Sequence, residues 1–184
     1  MTGPRPHSSA SDCTANTTRI RAGNASIALM SIVDDTAGLR RILTRAHVVA
    51  VVGLSENWYR PSYFAAKYLL DHGYRIIPVN PNHTQILGET CYADLASVPG
   101  PVDIVDCFRR AEDIPPLARE AVAKDAKVLW MQIGIRSEEG ARIALGGGLD
   151  VVMNRCVKIE HARVIGGLHW AGVNTGVISA RRPA

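Results

Sequence analysis

Residues Val48–Val52 read Val-Val-Ala-Val-Val and run straight into a glycine. A run with no polar face suits a strand covered on both sides, the situation found where helices flank a parallel sheet. Four further segments repeat the theme: Tyr74–Val79, Val102–Phe108, Lys127–Ile133 and Leu149–Met153. Helical stretches lie between them. One begins at Asp34 or Asp35 and places Leu39, Ile42 and Leu43 on one face. Ser62–His72 is a second, stopped by Gly73. Ile114–Ala123 is a third, with Pro115 and Pro116 in the first turn, where proline is tolerated. Glu138–Leu145 is a fourth. Strand and helix alternating through short connections predict an α/β fold, a doubly wound, mostly parallel, Rossmann-like sheet in three layers. Asn80–Gly88 reads as a loop, Thr90–Leu95 as a short segment, and the periodicity weakens from Cys156 onward.

The length of 184 residues suits one core better than two. Residues 1–29 differ from the rest: Met1–Thr18 is rich in Pro, Ser, Thr and Asn and poor in large apolar side chains. They read as a disordered leader or as sequence upstream of the true start, with Met30 as an alternative first residue. Residues 30–184 form the expected domain. The apolar run Val48–Leu54 falls far short of the roughly 20 residues that span a bilayer. No secretory pattern opens the chain, and Cys13, Cys91, Cys107 and Cys156 form no C-x-x-C pair. A reducing cytoplasm is the expected compartment. The formal charge is +4, and its cations are dispersed without interleaved aromatics. That pattern fits a small anionic ligand and speaks against nucleic acid.

In open α/β sheets, ligands gather at the carboxyl ends of the strands. Here those ends open into loops at Gly53, Asn80, Arg109 and Gly134. The first loop runs Gly53-Leu54-Ser55-Glu56-Asn57-Trp58-Tyr59-Arg60-Pro61-Ser62. Gly53 permits a tight exit, Ser55 offers a hydroxyl and an amide, and the next helix points its free N–H groups back at the loop. Arg60 adds a charge-assisted contact to the same anion. The plain alternative is a strand-to-helix connection with Ser62 as the cap. A dinucleotide site normally shows G-x-G-x-x-G and an acidic residue closing the second strand. This loop has one glycine, and the second strand closes Pro78-Val79-Asn80-Pro81. A nicotinamide-dependent oxidoreductase is therefore the weaker reading.

The segments Val51-Val52-Gly53-Leu54-Ser55, Arg60-Pro61-Ser62, Gly73-Tyr74-Arg75 and Pro78-Val79-Asn80-Pro81 stand in a distinctive order. Leu87-Gly88, Val102-Asp103-Ile104-Val105-Asp106, Phe108-Arg109-Arg110, Trp130-Met131-Gln132-Ile133-Gly134, Gly148–Met153 with Cys156, and Asn174–Ser179 follow. Together they resemble the small bacterial CoA-binding proteins, whose fold is shared with the nucleotide-binding domain of the succinyl-CoA synthetase α subunit. The resemblance implies coenzyme A lying across the strand carboxyl ends. The Gly53–Ser62 loop, including Gly53, Leu54, Ser55, Arg60, Pro61 and Ser62, would hold phosphate, with Asn80 and Pro81 beside it. Phe108 and Arg109 would flank the adenine and its phosphorylated ribose, and Gln132 and Gly134 the pantetheine arm. The chain departs from the family at Asn154, where an aspartate is usual, which puts any carboxylate role there in doubt.

No catalytic constellation emerges. A synthetase of this type needs a phosphorylated histidine and a separate nucleotide-grasping domain. His7, His47, His72, His83, His161 and His169 form no recognisable triad or metal motif. Cys156 is the best reactive candidate, because Arg155 and Lys158 would lower its thiol pKa. The expected function is non-catalytic binding of coenzyme A or an acyl-CoA. The alternative is a subunit presenting CoA to a larger enzyme, which leaves room for a protein partner or a second copy of the chain.

Overall fold

The computed structural model describes residues 32–166. The leader, Met30, His7, Cys13, His169 and the Asn174–Ser179 motif lie outside the described residues.

Helix α1 (Thr36–Arg45) is capped by Asp35, whose carboxylate accepts the Gly38 amide at 2.9 Å. Strand β1 (Val48–Val52) follows, then α2 (Pro61–Asp71) and β2 (Arg75–Val79). The expected loop contains a short antiparallel hairpin, β3 (Gln85–Ile86) and β4 (Glu89–Thr90). Two-residue strands carry too little pattern to be read from sequence. Strand β5 (Ile104–Cys107) leads through a 3-10 turn into α3 (Ile114–Ala123). Then come β6 (Val128–Met131), α4 (Glu138–Gly146), β7 (Asp150–Val152) and α5 (Val157–Val164). Helix α5 falls in the weakly periodic tail because it buries Glu160, His161 and Arg163 along with Val157 and Val164, which blurs its apolar stripe.

The main sheet is parallel, in the order β2-β1-β5-β6-β7. Strand order reverses between β1 and β5, so their carboxyl ends open a crevice at the switch point. Alternation along each strand divides the core. Val49, Val51, Ile104 and Trp130 pack under α1, α2 and α5. Ala50, Val52, Val105, Cys107, Leu129 and Met131 pack under α3 and α4. The three-layer α/β expectation holds. No helix among the described residues is long and apolar enough to cross a membrane.

Candidate functional site

The crevice is built where β1 leaves the sheet beside β5. Gly53 adopts φ 87° and donates its amide to the Val79 carbonyl at 2.9 Å. A Cβ there would stand 2.5 Å from the Phe108 carbonyl oxygen. Only glycine lets the two strand exits approach this closely.

The loop that follows is largely bonded to itself. The Ser55 amide donates to Ser62 Oγ at 3.2 Å, and Ser55 Oγ accepts from the Asn57 amide at 3.2 Å. The Tyr59 amide donates to Asn57 Oδ1 and the Arg60 amide to the Asn57 carbonyl. Arg60, not Ser62, occupies the cap of α2, and its side chain makes no capping bond. Ser62 is buried and its hydroxyl serves the loop. Pro61 has no N–H, and the Tyr63 and Phe64 amides both reach the Arg60 carbonyl. Among the described residues, the Ser62 amide is thus the first-turn donor without a backbone acceptor. The Leu54 side chain is buried in the core, and its carbonyl accepts Asn80 Nδ2 at 2.8 Å. Asn80 Oδ1 takes the Asn82 amide, so Asn80 ties the first loop to the second, with Pro81 exposed beside it. Trp58 and Tyr59 stack on each other at 3.8 Å and stand mostly in solvent.

The neighbouring arginines differ. Arg110 is exposed and pairs with Glu112 at 3.1 Å and Asp113 at 3.5 Å. Arg109 is half-buried and forms no ion pair among the described residues. Both arginines border a cavity of ≈ 520 Å³ lined also by Pro61, Phe108, Gln132, Cys156 and Ile159. This apolar slot lies between α2 and the start of α5. Phe108 both lines it and packs against the core. Gly134 sits at φ 87° on the adjoining loop and donates its amide to Asn154 Oδ1 at 2.8 Å. An asparagine at 154 therefore keeps the acceptor an aspartate would supply and loses only the charge.

Below the slot, Gln132 Nε2 donates to Asp106 Oδ1 at 2.6 Å. Asp106 is fully buried, and burial pushes its carboxyl up to about 7, against the smaller lowering from Gln132. No role was assigned to Asp106 from sequence, although one carboxylate inside the apolar run Ile104–Cys107 was a visible signal. Ile135 and Ile159 complete the slot and carried no signal beyond hydrophobicity.

Cys156 behaves otherwise than its neighbours suggested. Burial pushes its thiol up, and the opposing pull of Lys158 is among the weaker influences. Arg155 is turned away, pairing with Glu160 at 2.9 Å and reaching the Asp34 carbonyl. His161 is buried against Tyr68, whose hydroxyl lies 3.1 Å from Nδ1; burial and then His72 pull its pKa down. A smaller hollow at the amino ends of the strands holds Arg41, Arg45, Asp103, Lys127 and Asp150. There Asp103 already accepts the His47 and Val48 amides, and Arg41 pairs with Asp150. No group of three or more His, Cys, Asp or Glu suited to a metal occurs among the described residues.

Residues 47–162 match a protein family described as a CoA binding domain. The chain is 41% identical over 126 residues to the uncharacterized protein YneT of Bacillus subtilis, covering 68% of this chain and 93% of that one. It is 31% identical over 96 residues to the ADP-forming acetate–CoA ligase II of Archaeoglobus fulgidus, covering 51% of this chain and only 14% of the ligase. Among solved structures, a hypothetical protein from Pyrococcus horikoshii superposes with a TM-score of 0.71 at 36% identity, covering 73% of this chain and 96% of its own.

Proposed function

The chain belongs to the CoA-binding domain family, and on that premise we propose that it binds coenzyme A or an acyl-CoA without transforming it. The observation that carries this reading is the pairing of Arg109, which forms no ion pair among the described residues, with an apolar slot of ≈ 520 Å³ at the switch point. Coenzyme A has the matching polarity: a phosphorylated nucleotide at one end and a long, neutral arm at the other. The Ser62 amide and Arg60 would meet the pyrophosphate, Arg109 the ribose phosphate, and the Pro61–Phe108–Ile159 slot the arm. Gly53, Leu54 and Asn80 contribute by shaping the backbone, and Pro81 and Gly134 border the path. The chemistry of the slot agrees with binding alone, since its one thiol, Cys156, is held protonated by burial.

Calorimetry against CoA, NAD, NADP and ATP tests this. Binding of CoA at least tenfold tighter than the other three is expected. Equal binding of NAD, or no heat with CoA at millimolar concentration, overturns it. A second reading rests on the acetate–CoA ligase, in which the matched region is a small part of a longer chain. In that reading the domain presents CoA to a separate catalytic protein, and purification from native cells would recover a stoichiometric enzyme with it.

A further inference from the structure

The floor of the slot joins two buried polar side chains from adjacent strands. Gln132 is 4% exposed and lines the cavity, while Asp106 is 0% exposed and lies beneath it. The Gln132 amide has two hydrogens and one oxygen to place. One Nε2 hydrogen goes to Asp106 Oδ1 at 2.6 Å, which fixes the plane of the amide and leaves its oxygen and second hydrogen for other partners. Asp106 Oδ2 has no hydrogen-bond partner among the described residues. An acceptor-only carboxylate fixes the amide in this one orientation. A protonated carboxyl brings a donor of its own, which the Gln132 oxygen can accept, and the amide can then turn its NH₂ toward the cavity.

We propose that Asp106 is a positioning residue for ligand recognition: ionised, it holds the Gln132 oxygen toward the slot, where it accepts an amide N–H of the ligand's pantetheine arm. Protonation of Asp106 removes that orientation, so ligand affinity is proton-linked. The inference rests on the CoA reading above. The ionisable groups around Asp106 are Cys107 on its own strand and Cys156 at the start of α5. Its partners in register, Val51 on β1 and Trp130 on β6, carry no charge. Arg109 and Arg110 line the same cavity. Pushed up by burial to about 7, the carboxyl changes state within the ordinary pH range.

The test compares CoA with the methyl ester of adenosine 3′-phosphate 5′-diphosphate, which keeps the 3′-phosphate and the diesterified pyrophosphate and lacks the arm, by calorimetry between about pH 8.5 and about pH 5.5. The nucleotide half controls for titration of the phosphate itself, which falls near pH 6. In the wild-type protein, the ratio of CoA affinity to nucleotide affinity should fall about five- to tenfold on acidification, the scale of one hydrogen bond. Asp106→Asn should hold that ratio at its low-pH level throughout, with nucleotide affinity unchanged. Gln132→Met should flatten the ratio in the same way, and circular dichroism reports whether each variant folds. The wild-type profile needs no variant. A ratio independent of pH overturns the proposal while CoA binding stands. Failure of CoA to bind at any pH overturns the functional reading and this inference with it.

Discussion

The two faces of the sheet are built from different materials. Under α3 and α4 the core is Ala, Val, Leu, Ile, Cys and Met. The buried polar residues Ser62, Asp106, Gln132, Glu160, His161 and Arg163 all lie on the opposite face, beneath or within α2 and α5. A buried polar group destabilises unless it is hydrogen-bonded. The aliphatic face thus secures the fold, and the mixed face gives up stability to hold a cavity and its floor. Glu160 shows how that face is kept together, its carboxylate gripped by Arg163 at 2.6 Å and Arg155 at 2.9 Å.

The sharpest way to break this contrast is to damage the aliphatic face. Leu129 is fully buried there, and Leu129→Ala should lower stability by about 2–5 kcal/mol through lost transfer energy and a residual cavity. Urea denaturation measures this, and CoA affinity of the folded protein should stay within about twofold of wild type, under 1 kcal/mol. A large loss of affinity would mean the faces are not separable. Gly53→Ala acts at the seam between them. A side chain at φ 87° and 2.5 Å from the Phe108 carbonyl should cost about 2–3 kcal/mol and weaken CoA as well. Thermal melting and calorimetry on the same sample give both numbers.

Arg109→Ala should leave melting nearly unchanged and weaken CoA by about 1.5–3 kcal/mol, with a smaller effect on 3′-dephospho-CoA. Arg110→Ala, which removes an exposed and already paired cation, should do little to either ligand. Equal losses for CoA and its dephospho form would move Arg109 away from the ribose phosphate.

The last contrast concerns pH, and it separates two residues of the mixed face. The folded chain keeps a proton on Asp106 up to about 7, whereas the unfolded chain releases it near 3.8. Stability from this residue therefore falls as pH rises between those values. His161 acts oppositely. Its folded pKa lies below 6.5, so the unfolded chain takes up the proton first and stability falls as pH drops below 6.5. Asp106→Asn should flatten the neutral-side decline, and His161→Gln the acid-side decline. Chemical denaturation at a series of pH values reads both, and an unchanged curve would remove the residue from the account.

Five strands and four helices were legible in sequence because each is a local matter of apolar period, capping residue, proline and glycine. Val48–Val52 and Ile114–Ala123 coincide with their elements to the residue. The hairpin β3–β4 was not legible, since two residues per strand hold no period, and α5 was obscured by its buried Glu160, His161 and Arg163. The candidate loops were located correctly at the strand ends, because chain direction in a parallel sheet puts all of them on one edge.

The internal bonding of those loops was another matter. The family resemblance chose Arg109 over its neighbour Arg110 without a local reason, and the fold supplied one by giving Glu112 and Asp113 to Arg110. Sequence offered Arg155 as the activator of Cys156, and the fold turned that guanidinium to Glu160 and buried the thiol. The Asp106–Gln132 contact joins residues 26 positions apart. By itself, then, the chain determined where backbone is buried and where it must turn, since those follow from each residue's hydrophobicity and allowed dihedrals. Which polar group meets which was decided by strand order and helix docking, because hydrogen bonds and charge pairing act over a few ångströms between segments that sequence does not place side by side.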